Sequence, residues 1–266
     1  MSPLRPEGGA FLITASSGIG AETAVRIASS GSSVFLVGRD EDKCRHLAGK
    51  IEESGGSAAF LAGDLVDLQT SVAAVEACVG RFGRLQALFN VAGISGRRFG
   101  DGPLHECTEE GWATTVTTNL TTQYRMSREA LRVMRAQTPD PITGQRGVIL
   151  NMTSILALQP EPQHFTAIAY AAAKGGIISM TRAAAAFYAP EGIRINAIAP
   201  ALVRTAMSAR ASEDAGVVEF VSAKQNLLGA MIPAADAAAA ACFLLSDDAR
   251  SITGEVLEVD AGWNLH

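Results

Sequence analysis

The sequence has no pair of cysteines at CxxC spacing and no histidine at zinc-ligand distance from one; its four cysteines stand apart at 44, 78, 107 and 242. That excludes a disulfide scaffold and a structural zinc site, and the expected state is reduced thiols in a cytoplasmic protein without a metal. Positive charge is also scarce. With 22 basic against 27 acidic residues and a formal charge of -5, no stripe is available to neutralise a phosphate backbone, so a nucleic-acid partner is not expected. No uncharged run approaches the roughly 18 apolar residues of a membrane span. The leading MSPLRPEGG lacks the apolar core of a secretory signal. Neither a Pro/Ser-rich linker, nor a charge block, nor a repeat divides the chain, which argues for one domain over residues 1–266.

What is present is apolar and periodic. Hydrophobic residues make up 48%, ample for a full core. The runs AFLIT, SVFLV, AAFLA, LQALFN, GVILNM, IRINAIA and EVLEV, at about 10–14, 33–37, 58–62, 85–90, 147–152, 193–199 and 255–259, predict seven strands. Helical spacing fills the gaps, and AETAVRIASSG and DEDKCRHLAGKIEESGG each close on glycine as a C-cap. Strands alternating with helices imply a parallel sheet covered on both faces, a single doubly wound α/β domain of Rossmann type. The segment from about 203 to 230 shows no strand and reads as a substrate flap.

Thr14-Ala15-Ser16-Ser17-Gly18-Ile19-Gly20 follows the first predicted strand and opens the first helix, where a glycine-rich turn binds pyrophosphate on helix N–H groups. Farther on, Tyr170-Ala-Ala-Ala-Lys174 puts a phenol and an ammonium one helical turn apart on one face. A neighbouring cation stabilises phenolate, so the expectation is a lowered tyrosine pKa and a usable acid/base. Ser154 ends the run Asn151-Met152-Thr153-Ser154 at the carboxyl edge of the sheet, where open α/β folds bind ligands, and can donate to a substrate oxygen.

These segments resemble, in order, the motifs of the short-chain dehydrogenase/reductase family, and the resemblance spans about 9 to 264. The glycine turn is similar to TGxxxGxG, with Ile13 and Thr14 at the threonine and first glycine positions. Asp64-Leu65 resembles the adenine-contacting pair, although Asp64 also reads as an N-cap for a helix near 67. Asn90-Val91-Ala92-Gly93 resembles NNAG, and Pro200-Ala201-Leu202-Val203-Arg204-Thr205 resembles PGxVxT, in which Val203 and Thr205 would hold the nicotinamide carboxamide.

The resemblance implies hydride transfer between a nicotinamide cofactor and a ketone or secondary alcohol. In it Tyr170 is the acid/base, Ser154 the catalytic serine with Thr153 as competitor, and Lys174 the pKa-lowering, ribose-holding lysine. Asn119, in Thr117-Thr118-Asn119-Leu120, anchors a relay water, Asn196 is structural, and the assembly is a homotetramer or homodimer. A regulator without turnover and an epimerase or dehydratase are the alternative readings.

The cofactor expected is NADP(H), with NAD(H) possible. Gly38 replaces the acid that NAD-preferring members carry, and Arg39 can pair a 2′-phosphate, although Asp40 is within reach of a ribose. The predicted pocket walls are Ile94, Ser95, Ile155, Leu156, Gln159, Phe165, Leu202 and Met207, which suit a mainly apolar small molecule. Arg97, Arg98 and Arg204 read as solvated surface, with no clamp for a carboxylate, and His164 as surface too.

Overall fold

The seven predicted runs form one sheet in the computed structural model, which describes residues 9–265. The amino-terminal segment, on which the expectation of no secretory signal falls, and His266 lie outside the described residues. The sheet strands are β1 (Ala10–Ile13), β2 (Ser33–Gly38), β3 (Ser57–Ala62), β4 (Leu85–Asn90), β5 (Gly147–Met152), β6 (Ile193–Pro200) and β9 (Val256–Val259). A separate pair comprises β7 (Val203–Arg204) and β8 (Ile232–Pro233). The helices are α1 (Gly18–Ser29), α2 (Glu41–Glu53), α3 (Leu68–Phe82), α4 (Glu109–Val116), α5 (Thr122–Ala136), α6 (Ile168–Tyr188), α7 (Ala209–Glu213), α8 (Ala215–Lys224) and α9 (Ala234–Leu245).

All sheet pairs are parallel, in the order β3-β2-β1-β4-β5-β6-β9. Both faces are covered, which is why the strands read as continuous apolar runs rather than as alternation. Phe11 and Ile13 of β1 face one core with Ile27 of α1, Ile51 of α2 and Leu244 of α9. Ala10 and Leu12 face the other, with Val75 of α3 and Met126 and Met134 of α5. The chain winds outward from β1 to β3, then returns to β4 on the far side of β1. The crevice above the carboxyl ends of β1 and β4 is therefore a topological switch point.

Two polar residues of β6 bind the end of the chain to the sheet. Asn196 donates from Nδ2 to the Ile252 carbonyl (2.9 Å) and accepts the Glu255 N–H (3.0 Å), the structural role the resemblance implied. Arg194, 5% exposed, donates to the carbonyls of Leu244 and Ser246 at 3.0 Å each, and burial lowers its pKa to about 10. The flap differs from its expectation. It contains the strand Val203–Arg204, paired with Ile232–Pro233, because only two residues extend before the chain turns into helix, too few to register as a β pattern.

Candidate active site

Above the switch point lies a cleft of about 560 Å³. At its floor the helix α1 begins without a side-chain cap: Ser17 stands at the N-cap with no side-chain bond to the first turn. Its leading N–H groups and the helix dipole thus face the cleft without a protein carboxylate, the arrangement that receives a phosphate. Gly18 there has φ +57 and packs beside Thr205, whose methyl would lie 3.2 Å from any added Cβ. Thr14, where the family pattern has glycine, keeps a negative φ and uses its hydroxyl instead. Its Oγ1 donates to the Phe89 carbonyl (3.4 Å) and accepts the N–H of Val91 (2.8 Å) and Ala92 (3.2 Å), tying the end of β1 to the exit of β4.

At one end of the cleft stand Arg39, Asp64 and Leu65. Arg39 Nη1 is 4.0 Å from the Asp64 carboxylate, and both side chains are more than half exposed. Asp40 instead caps α2, accepting the Lys43 N–H at 3.1 Å, and pairs with the Lys43 ammonium at 2.7 Å. The cap of α3 is Asp67, not Asp64.

At the other end Ser154, Tyr170 and Lys174 converge. Ser154 Oγ accepts the Leu156 N–H at 3.2 Å and faces the Tyr170 phenol closely enough to favour its ionised form. Thr153, the competitor, donates its hydroxyl to the Lys174 carbonyl at 2.8 Å and is committed there. Lys174 is 3% exposed; Nζ donates to the Met152 carbonyl (2.9 Å) and lies 5.5 Å from the Tyr170 ring centroid. Burial pushes the ammonium down to about 7. The expected lowering of the tyrosine pKa is corrected: burial pushes the Tyr170 phenol up, and Ser154 only partly opposes it. Desolvation of the partly buried phenol thus outweighs the one group that acts against it.

Asn119 sits in a π-helical turn, Thr117–Thr121, between α4 and α5, a local widening that often marks functional sites. Its side chain is spent on backbone: Nδ2 donates to Ile94 O (3.0 Å) and Thr115 O (2.9 Å), and Oδ1 accepts the Ile94 N–H (3.2 Å). The amide therefore fixes the wall at Ile94. Gly93 must be bare for this, since a Cβ would come within 2.5 Å of Asn119 Oδ1.

Of the sequence-predicted cofactor residues, Thr14, Ser16, Ser17, Gly18, Ile19, Arg39, Asp64, Leu65, Ala92, Gly93, Pro200, Val203 and Thr205 line the cleft. Gly20 and Asn90 do not. Gly20 faces inward, where a Cβ would meet that of Ala15 at 2.4 Å. Asn90 lies beneath, donating to Ser127 Oγ (3.0 Å) and Asn151 Oδ1 (2.9 Å). Among predicted walls, Ile94, Ser95, Ile155, Leu156, Phe165, Leu202 and Met207 line it, whereas Gln159 does not, its loop having turned outward after Ala157. His164 packs on Phe220 of α8 at 4.9 Å rather than entering the cleft.

Three features escaped sequence reasoning. Trp263 lines the cleft and packs against Phe165 (6.1 Å) and Phe220 (5.4 Å); no periodicity marks a lone aromatic in a tail. Arg97 and Arg98, read as solvated surface, line the cleft together with Arg210 of the flap, whereas Arg204 does not. Finally Asp101, 6% exposed, caps α6 from outside: Oδ1 accepts the Ala169 N–H and Oδ2 the Tyr170 N–H, both at 2.9 Å.

The uncapped α1 terminus, the bare Gly93 and the cleft's extent from Arg39 to Tyr170 fit a dinucleotide. A family model described as Enoyl-(Acyl carrier protein) reductase matches residues 13–264. The chain is 34% identical over 257 residues to the short-chain reductase protein NovJ of Streptomyces niveus, covering 95% of this chain and 92% of that one. It is 31% identical over 262 residues to the 2,5-dichloro-2,5-cyclohexadiene-1,4-diol dehydrogenase LinX of Sphingobium indicum, covering 98% of each. The structure of a gluconate 5-dehydrogenase from Burkholderia cenocepacia J2315 in complex with NADP and tartrate superimposes with a TM-score of 0.88 at 26% identity, covering 99% of this chain and 98% of that one.

Proposed function

Because the chain belongs to the short-chain dehydrogenase/reductase family and is an oxidoreductase of that kind acting on alcohols or ketones, we propose that it is an NADP(H)-dependent enzyme reducing a ketone, or oxidising a secondary alcohol, on a mainly apolar small molecule. The observation that carries the proposal is the meeting of Ser154, Tyr170 and Lys174 in the cleft floored by the uncapped start of α1. The residues proposed to hold the cofactor are the α1 N–H groups with Ser16 and Ser17, Arg39 on a 2′-phosphate, Asp64 and Leu65 at adenine, and Val203 and Thr205 at the carboxamide. When bound, the dinucleotide supplies or accepts the hydride and, oxidised, adds positive charge beside the phenol.

In reduction the Tyr170 hydroxyl gives its proton to the carbonyl oxygen, which becomes the alcohol oxygen. The Ser154 hydroxyl donates a hydrogen bond to that same oxygen. With its pKa raised by burial, Tyr170 is protonated at neutral pH and ready to act as acid. In oxidation it must first lose that proton, and Lys174 then stabilises the phenolate. NADP(H) is favoured over NAD(H) because Asp40 is occupied by Lys43 and by the start of α2, which leaves Arg39 facing the cleft.

The proposed working form is a cytoplasmic homotetramer or homodimer of this single catalytic domain. Trp112 of α4, Tyr124 of α5 and Phe187 of α6 are 42%, 48% and 66% exposed, which supports helix-to-helix association. A carbonyl and alcohol panel followed by NADPH absorbance, with Tyr170→Phe as control, tests the function. Turnover lost in the control supports it, and no turnover across the panel refutes it.

A further inference from the structure

The cleft is electrostatically lopsided in an acidic protein. Among the described residues lining it, Asp64 is the one acid, against Arg39, Arg97, Arg98, Lys174 and Arg210. Asp64 lies opposite Arg39 at the far end. Lys174 is held by the Met152 carbonyl, and Arg98 stacks on the Phe99 ring at 4.9 Å. Arg97 and Arg210 remain, one from the segment after β4 and the other from the flap.

Arg97 sits half-buried on the loop that leaves β4, with one guanidinium nitrogen donating to the His164 carbonyl. No carboxylate stands within ion-pair distance of it among the described residues. Arg210 projects from α7 in the flap. Burial lowers the Arg97 pKa, the charge of Arg210 lowers it further, and Asp101 opposes. With Arg97 half-buried and Arg210 exposed, two guanidiniums share the rim of one cleft, and an anion held between them relieves their repulsion.

The dinucleotide phosphates have their own receptors in α1 and Arg39. Arg97 belongs instead to the Tyr170 end, since its loop continues into Asp101, whose carboxylate caps the first turn of α6. Between that rim and the phenol the wall is apolar: Ile155, Leu156, Phe165, Leu202 and Trp263. We infer that Arg97 and Arg210 form a carboxylate-binding rim, so that the substrate is a keto acid or hydroxy acid whose carboxylate is separated from the reacting carbon by an apolar body. The planar fork of arginine suits a carboxylate held from two sides. This rests on the oxidoreductase reading for the reaction, but not for the binding of the acid.

The test compares 5-oxohexanoate, 7-oxooctanoate and 4-oxocyclohexanecarboxylate with their methyl esters, using NADPH and the full chain. At least one acid is expected to exceed its ester about ten- to hundredfold in kcat/KM, the worth of one or two charge-assisted hydrogen bonds. That acid-to-ester ratio is expected to fall toward one in Arg97→Met and Arg210→Met, and to recover partly in Arg97→Lys. Equal use of acids and esters, or a ratio unmoved by both substitutions, overturns the inference while turnover of the esters leaves the oxidoreductase reading intact. An increase in the KM for NADPH with an unchanged ratio also overturns it, because the arginines then serve the cofactor. Calorimetric binding of the same acids to NADP-loaded protein decides the matter if no turnover is found. Binding weakened by either substitution supports the rim with the redox reading lost, and absence of binding by every acid removes the rim.

Discussion

The carboxylate of Asp101 accepts the backbone N–H of Tyr170 at 2.9 Å, and that of Ala169 at 2.9 Å, so the helix bearing the phenol is started by a residue from a different part of the chain. The helix's own N-cap, Ala167, offers no side-chain acceptor. Asp101→Ala should therefore cost about 1–2 kcal/mol of stability, as the loss of a helix cap does, and lower kcat by loosening Tyr170. Asp101→Asn, which keeps one acceptor oxygen, should recover part of both. Thermal denaturation and steady-state kinetics of the two variants check this; a pair of variants equal to the parent would contradict it.

Tyr170→Phe should reduce kcat about 10²–10⁴-fold, the usual contribution of a general acid/base, while dinucleotide binding followed by fluorescence remains. Ser154→Ala removes the hydroxyl that opposes the raised phenol pKa. The acid-side, rising limb of kcat/KM for oxidation, which follows loss of the phenol proton, should consequently move to higher pH than in the parent. A limb that stays put would show that Ser154 does not govern the phenol.

Lys174 yields a stability prediction with a definite sign. Its folded pKa, about 7, lies below the ordinary 10.5. Between those values the unfolded chain holds a proton that the folded chain has released, so this residue's contribution to stability rises with pH across the window and is least favourable below about 7. The Tm difference, Lys174→Met minus parent, should be most positive below neutrality and decline toward pH 10 in cofactor-free protein. A difference that does not vary with pH would rule this out.

Arg39→Ala should raise the KM for NADPH about tenfold or more, in line with a lost charge-assisted hydrogen bond, and leave that for NADH nearly unmoved. Equal effects on both cofactors would assign Arg39 to stacking on adenine.

Thr14→Gly restores the family's glycine, yet it should destabilise this chain. The substitution strands the N–H groups of Val91 and Ala92 that the hydroxyl now receives. About 1–3 kcal/mol is the scale for a buried donor left unpaired, readable from urea unfolding; an unchanged or raised midpoint would refute it.

The seven strands were legible because a sheet covered on both faces leaves each strand no polar side. The Ser154, Tyr170 and Lys174 positions were legible through spacing and order. Other parts were not, for separate reasons. Gly20 and Asn90 belong to motif segments that reach the cleft, but their neighbours Gly18, Ile19, Val91 and Ala92 line it while they pack beneath. Gln159 was assigned from a loop whose path depends on the turn at Ile155–Ala157. Arg97 and Arg210 lie on irregular or short segments where charge has no period, and only the folded chain brings them to one cleft.

The loop from Ile94 to Gly102 presents Arg97 to the cleft and Asp101 to the start of α6 within a few residues, whereas the flap is held at its ends, by a two-residue strand pair and the buried Gln225 amide, and between them by the apolar contacts of Val217 and Val221. Evolutionary latitude is thus unevenly shared. Altered selectivity can arise in the flap with little penalty elsewhere, but remodelling the Ile94–Gly102 segment would disturb the seating of Tyr170 at the same stroke, so new substrate ranges are most readily reached by exchanging residues 209–224, between Thr205 and the buried Gln225.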